Sequence, residues 1–377
     1  MVKISPFSSL RPSKELVSKV PTKAYNQYSK KEIKKEKEKN KYSFLNIIDF
    51  KKEANLKTNY TIIKDKIDDF KSKNILQIND KKSFYIYQQS SEKNTFTGLI
   101  CTVSLEDYKK NKIKIHEKTI EKREILFAKY LSITKIHAEP VLLTHNGQDC
   151  ISETMMLEKN KIYDFKDVEG VNHKIWQIDQ QNSIKKIIDI FAQINSLYIA
   201  DGHHRMASSA RNKRNQTCLA YILPKKQLKV YPFHRVLNSK INYQQLIHRI
   251  SNIGEIKIIK EPEEHSKNIQ FYTNKKWHII IDHNPSYNLL VEKLMQNILT
   301  PIFKIHDERN NKQIRFIPGT QPIPFLLAKL KTNEIFFLMT TINLDTIINI
   351  ANQHRTTPPK STFILPKIPS GLIMMEL

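Results

Sequence analysis

The sequence predicts a mixed α/β fold, and three observations carry that expectation. Short apolar runs rich in β-branched and aromatic residues, at 84–87, 97–105 and 196–200, read as strands. Between them lie stretches with apolar residues at helical spacing, such as Ile63, Ile67 and Phe70 within 62–73. The two kinds of segment alternate along 377 residues, a length that allows one large domain or two with ample core.

Taken in order, residues 1–28 open irregularly, with Pro6-Phe7 and Leu10-Arg11-Pro12 favouring extended backbone. A Lys/Glu run at 30–41 reads as a solvated helix supported by i,i+4 pairs. Helix 62–73 follows, then a strand pair at 84–87 and 97–105 with a turn near Asn94. Residues 115–131 read as a helix opening on Ile115-His116-Glu117-Lys118-Thr119. A strand at 139–143, a polar loop-rich stretch at 164–179 and a helix at 184–194 lead to the central segment. Strands at 217–223 and 228–237 come next, and 242–288 alternates helix and strand. A helix at 289–299 and a proline-stiffened tail at 358–372 complete the chain.

The central segment is 196–214. Its strand ends at Asp201-Gly202, where glycine supplies the backbone freedom for a tight turn. A helix then begins at His203-His204-Arg205, with Met206, Ala207 and Ala210 at helical spacing. A helix start has unpaired N–H groups and a positive dipole end, so it suits an anion. Arg205 can add a bidentate contact to phosphate oxygens. In the plainer alternative Asp201 is an N-cap worth about 1 kcal/mol and the three cationisable residues are solvated. That alternative does not explain why like charge gathers at a positive dipole end.

Bulk composition narrows the classes. The formal charge is +25, from 62 Lys and Arg against 37 Asp and Glu. The excess is mostly lysine spread along the chain, without an arginine-rich arm or aromatic ladder, which argues against nucleic acid as the main partner. Three cysteines with no Cys-x-x-Cys pair argue against a disulfide framework and suit a reducing, cytoplasmic location. No apolar run approaches the ~20 residues of a membrane span. The seven glycines are too scattered for G-x-G-x-x-G or a P-loop, so a nucleotide would need another phosphate cradle.

The Asp201-Gly202-His203-His204-Arg205 segment resembles the hallmark of the "domain of unknown function 1015" family, which looks distantly related to the ParB/sulfiredoxin superfamily and its free serine kinases. Further segments share the resemblance: Pro6-Phe7 with Leu10-Arg11-Pro12, His116-Glu117 with Thr119, Glu139-Pro140, the strand around Arg235, and the tail. The tail matches in Pro358-Pro359-Lys360-Ser361-Thr362 and again in Pro366-Lys367-Ile368-Pro369-Ser370-Gly371-Leu372. The chain departs from the pattern at Asn26, where the family has Asp, near Phe127, where it has Asp-Arg, and at Pro318, where it has Gly.

The resemblance implies a ParB/sulfiredoxin-like core with additional helices and strands. It also implies one family-length unit over 1–377, subdivided as a core at 1–240, an insertion or lid at 241–300 and a returning segment at 301–377. The implied activity is nucleotide-linked phosphoryl transfer, using ATP or ADP with Mg2+ and serine or O-phosphoserine. Its direction stays open, as does the oligomeric state. Gly202, Arg205, Arg235, Lys360, Ser361 and Thr362 are the phosphate- or nucleotide-binding candidates. Asp201, His203, His204, His116 and Glu117 are the catalytic candidates. The residues leave two alternatives: a nucleotide-binding regulatory module without catalysis, and a metal-dependent hydrolase.

Overall fold

A computed structural model describes residues 1–49, 55–147, 150–157, 159–212, 215–282, 289–309 and 311–377. The class is mixed α/β, of the α+β kind, and the chain divides into two units: 1–228 with 366–377, and 229–365. The second unit includes residues 241–300 and extends beyond them on both sides. It begins inside a predicted strand, and the tail divides between Leu365 and Pro366.

In the first unit the described residues build a nine-stranded sheet. Its spatial order is Ile113–Lys114, Leu197–Asp201, Val141–His145, Thr217–Pro224, Thr95–Ser104, Phe84–Ser90, Asn172–Ile178 and Asn160–Lys166, with Ile4–Ser5 pairing Thr95–Ser104. The predicted strands form because one face is apolar: Phe84, Ile86, Leu99, Cys101, Val141, Leu143, Leu197, Ile199 and Ile222 share one buried cluster. The stretch expected to be loop-rich at 164–179 is instead most of a hairpin. Its strand Asn172–Ile178 alternates, burying His173 and Ile175, and its turn uses Gly170 at φ +85°.

A second, four-stranded sheet ties the ends of the chain together. Ser9–Pro12 lies between Leu76–Ile78 and Met374–Glu376, and the last strand also pairs Ile136–His137. Helix Leu56–Ser72 packs Ile63, Ile67 and Phe70 against it, as the spacing predicts. Helix Lys30–Lys39 starts at a capping box formed by Ser29 and Glu32. Among the described residues no helix is long and apolar enough to cross a membrane.

In the second unit the described residues build a seven-stranded antiparallel sheet in which Lys229–Asn238 pairs with three other strands. Arg235 on that strand is 1 % exposed. Its Nε and Nη2 donate to the two oxygens of Glu308 at 3.3 and 3.0 Å, and its remaining donors meet the carbonyls of Phe233, Pro359 and Lys360. Such a pair costs desolvation that only complete hydrogen bonding offsets, so losing one partner strands a buried charge. Glu308→Ala is expected to lower unfolding stability by about 3–5 kcal/mol. The double variant Arg235→Met with Glu308→Leu should recover most of that loss in urea denaturation.

Candidate active site

Strand direction brings the catalytic candidates together. Leu197–Asp201 runs parallel to Ile113–Lys114, with Leu197 opposite Ile113 and Tyr198 opposite Lys114. Both strands end on one side, so segment 115–120 emerges beside the turn after Asp201. Val141–His145 runs antiparallel, with Leu142 opposite Asp201, and its preceding Glu139 and Pro140 arrive at the same end. A register shift between Ile199 and Asp201 marks a bulge there. The carboxyl ends of strands are where open α/β sheets bind ligands.

Gly202 sits at φ +94° and starts helix His203–Arg211 with no side-chain cap. Other residues pay for that conformation. A Cβ there would also stand 3.0 Å from the guanidinium of Arg205, which folds back over the turn. Arg205 Nη2 donates to Asp201 Oδ2 at 3.0 Å, and Nη1 donates to the Pro140 carbonyl with Glu139 Oε2 3.4 Å away. Lys367 Nζ donates to Asp201 Oδ1 at 3.2 Å, and the Ser370 hydroxyl bonds Glu139. Charges of alternating sign thus run from Lys367 through Asp201 and Arg205 to Glu139.

Burial of the strand end opposes ionisation of Asp201. The charges of Lys367 and Arg205 outweigh it and hold the carboxyl at about 2. The side chain stays 40 % exposed, open to a ligand. Burial works the other way on the imidazoles. It pushes His116 and His137 down to about 4, and His203 well below its ordinary range, with neighbouring His116 adding to the effect. Among the described residues the buried Nε2 of His137 has no hydrogen-bond partner.

The His-Glu segment is not the helix start that the sequence suggests. Residues 115–120 are irregular, and the helix begins later, as Glu121–Thr134 with Ile120 at its N-cap. The backbone N–H of His116 points to His203 Nε2 at 3.5 Å, and that of Ile120 donates to His204 Nε2 at 3.0 Å. The His116 ring stands edge-on to that of His203, centroids 4.5 Å apart. An Nε2 that accepts a hydrogen bond leaves the ring proton on Nδ1, and burial keeps His203 uncharged. Glu117 lies on this segment, half-buried.

Asp201, Gly202, His203, His204, Arg205, His116 and Glu117 therefore gather at one strand end. The other candidates, Arg235, Lys360, Ser361 and Thr362, belong to the second unit. There Arg235 is committed to Glu308 and three carbonyls, so its guanidinium has no donor pair to offer an anion. Lys360 adopts φ +54° and lays its ammonium over Phe233 at 5.2 Å. Ser361 is buried and donates to the Pro358 carbonyl at 2.6 Å, and Thr362 opens strand Thr362–Leu365. Phe127 leans on Tyr130 with centroids 5.1 Å apart, Pro318 ends strand Ile314–Pro318, and the side chain of Asn26 lies outside the described residues.

Sequence reasoning missed Lys367 and Glu139 as members of the network. Both stand in segments that carry the family resemblance, and Lys367 directly follows a proline as Lys360 does.

The chain belongs to the family described as "Protein of unknown function (DUF1015)", which matches residues 4–305. No curated protein matches the sequence. Among solved structures it is similar to a free serine kinase in complex with AMP, at 15 % identity and TM-score 0.42, covering 74 % of this chain and 91 % of that one. It is also similar to SbnI with a C-terminal truncation from Staphylococcus aureus, at 10 % identity and TM-score 0.39, covering 71 % and 82 %. A conserved hypothetical protein from Pyrococcus furiosus is similar at 14 % identity and TM-score 0.40, covering 74 % and 94 %.

Two outcomes follow from this geometry. Gly202→Ala is expected to cost about 1–3 kcal/mol in chemical denaturation, because positive φ and the Arg205 contact both oppose a Cβ. Unfolded histidines titrate near 6.5, whereas His116 and His137 do so at about 4 when folded. Unfolding between those values takes up protons, so stability falls as pH drops from about 6.5 towards 4. Each histidine contributes about 1.2 kcal/mol over the pH unit between 6 and 5. His116→Gln should reduce that slope by one histidine's share; an unchanged slope contradicts the assignment.

Proposed function

We propose that this chain is a nucleotide-linked phosphotransferase acting on a small hydroxyl-bearing substrate. The observation that carries the reading is the ionised Asp201 held between Arg205 and Lys367 beside an uncapped helix start. Phosphoryl transfer asks a protein mainly for positioned charge and an aligned nucleophile. The first-turn N–H groups after Gly202 fit phosphate oxygens, and the Arg205 guanidinium folded back over the turn lies beside them. Arg205 and Lys367 supply the positive charge there.

Asp201 fits one ligand position of Mg2+, an ion commonly held by one or two carboxylates together with phosphate oxygens. Its low pKa makes it a weak proton acceptor at neutral pH. Glu117, on the segment that His203 and His204 hold, is the better choice to take the proton of the substrate hydroxyl. When bound, ATP or ADP supplies or receives the phosphoryl group and Mg2+ offsets its charge. Serine or O-phosphoserine is the substrate class that the resemblance to free serine kinases implies.

The test is incubation of purified protein with Mg2+, a nucleotide panel, and L-serine or O-phosphoserine. Turnover is expected, with Arg205→Ala lowering it about 100-fold, the usual effect of removing one donor to developing charge. Lys367→Met should lower it too, with folding checked by circular dichroism. Tight nucleotide binding without turnover on any amino acid would identify a regulatory module instead. Metal-dependent hydrolysis without nucleotide would identify a hydrolase.

A further inference from the structure

Backbone N–H groups in an irregular segment need acceptors. Segment 115–120 has two that point at imidazoles on a different helix, those of His116 and Ile120. Ile120 is the N-cap of helix Glu121–Thr134, and isoleucine has no side-chain oxygen to cap with. A capping box would bring a Glu from the third helical position back to the N-cap N–H. That position is Arg123, and the nearby Glu124 is engaged by Thr119 and by Arg211 Nε at 2.5 Å. His204 Nε2 takes the place of the missing carboxylate, 3.0 Å from the Ile120 nitrogen.

A ring nitrogen used in this way is not available to shuttle protons. We propose that His203 and His204 are positioning residues, each lending its Nε2 lone pair to a backbone N–H so that the segment carrying Glu117 stays docked at the Gly202 turn. The docking follows from these contacts alone. Its kinetic consequence rests on the phosphotransferase reading.

Glutamine separates this role from acid–base chemistry, because its carbonyl oxygen accepts a hydrogen bond but exchanges no proton at neutral pH. Hydrogen exchange of peptides spanning 115–121 is measured in the full chain. His204→Ala is expected to speed exchange of the Ile120 amide by about tenfold, the worth of one hydrogen bond. His204→Gln should stay near wild type, and His203→Ala and His203→Gln should divide in the same way at the His116 amide. Equal exchange in the Ala and Gln variants, fast or slow, overturns the proposal. In the serine and phosphoserine assay, His204→Ala should lower kcat at unchanged nucleotide KM, and His204→Gln should restore most of it. A protected but inactive Gln variant assigns the ring to proton transfer and overturns the positioning role. A wild-type chain without turnover counts against the phosphotransferase alone, and the exchange measurement still decides the docking.

Discussion

The Asp201 carboxylate, shared between Lys367 and Arg205, is the contact on which the organisation of the first unit turns. It joins a strand end, a helix start and the returning C-terminal segment, and Arg205 extends the link to Glu139 and Pro140. Removing the carboxylate would leave two cations facing each other. Removing Arg205 would leave Asp201 and Glu139 without the cation they share. Half-buried charges cost desolvation unless they are paired and hydrogen-bonded, so each member of the chain is tolerable only because its neighbours are present.

Topology explains how residues far apart in sequence reach that contact. The short parallel pairing of Ile113–Lys114 with Leu197–Asp201 is the decisive step, since an antiparallel pairing would carry segment 115–120 to the opposite end of the sheet. The antiparallel neighbour Val141–His145 then delivers Glu139 at its start rather than its end. The tail is fixed independently: Ser370 and Thr22 exchange backbone hydrogen bonds, and the Gly371 N–H donates to the Ala138 carbonyl. Gly371 at φ +79° stands where a Cβ would meet the Phe44 ring at 2.7 Å, so the turn that presents Lys367 and Ser370 requires glycine on two counts.

What was legible in the sequence divides along the range of the forces involved. The strand Leu197–Asp201 and the turn at Gly202 are written locally, in an apolar run closed by Asp-Gly. Ile63, Ile67 and Phe70 likewise share a face because helical periodicity is local. The start of the 121–134 helix was misplaced because its N-terminal backbone is satisfied from another helix, which no window around 115–120 contains. The pairing of Lys367 is equally non-local, since Asp201 lies 166 residues away. Arg235 looked like an anion ligand because Glu308, which neutralises it, lies 73 residues away.

On the proposed reading, the electrostatics divide the chemistry between two carboxylates. A group held at about 2 stays charged throughout the physiological range and stabilises or orients positive charge, yet it has little affinity for a proton. The proton acceptor on this reading is Glu117, on the neighbouring segment whose backbone N–H groups face His203 and His204. The histidines fit the same division. Burial keeps His116 and His203 uncharged near neutral pH, so the positive charge at the strand end comes from Arg205 and Lys367, which need no proton uptake to carry it. A neutral His203 in turn keeps the lone pair that faces the His116 N–H. The charge state that suits phosphate binding is therefore also the one that holds Glu117's segment in place.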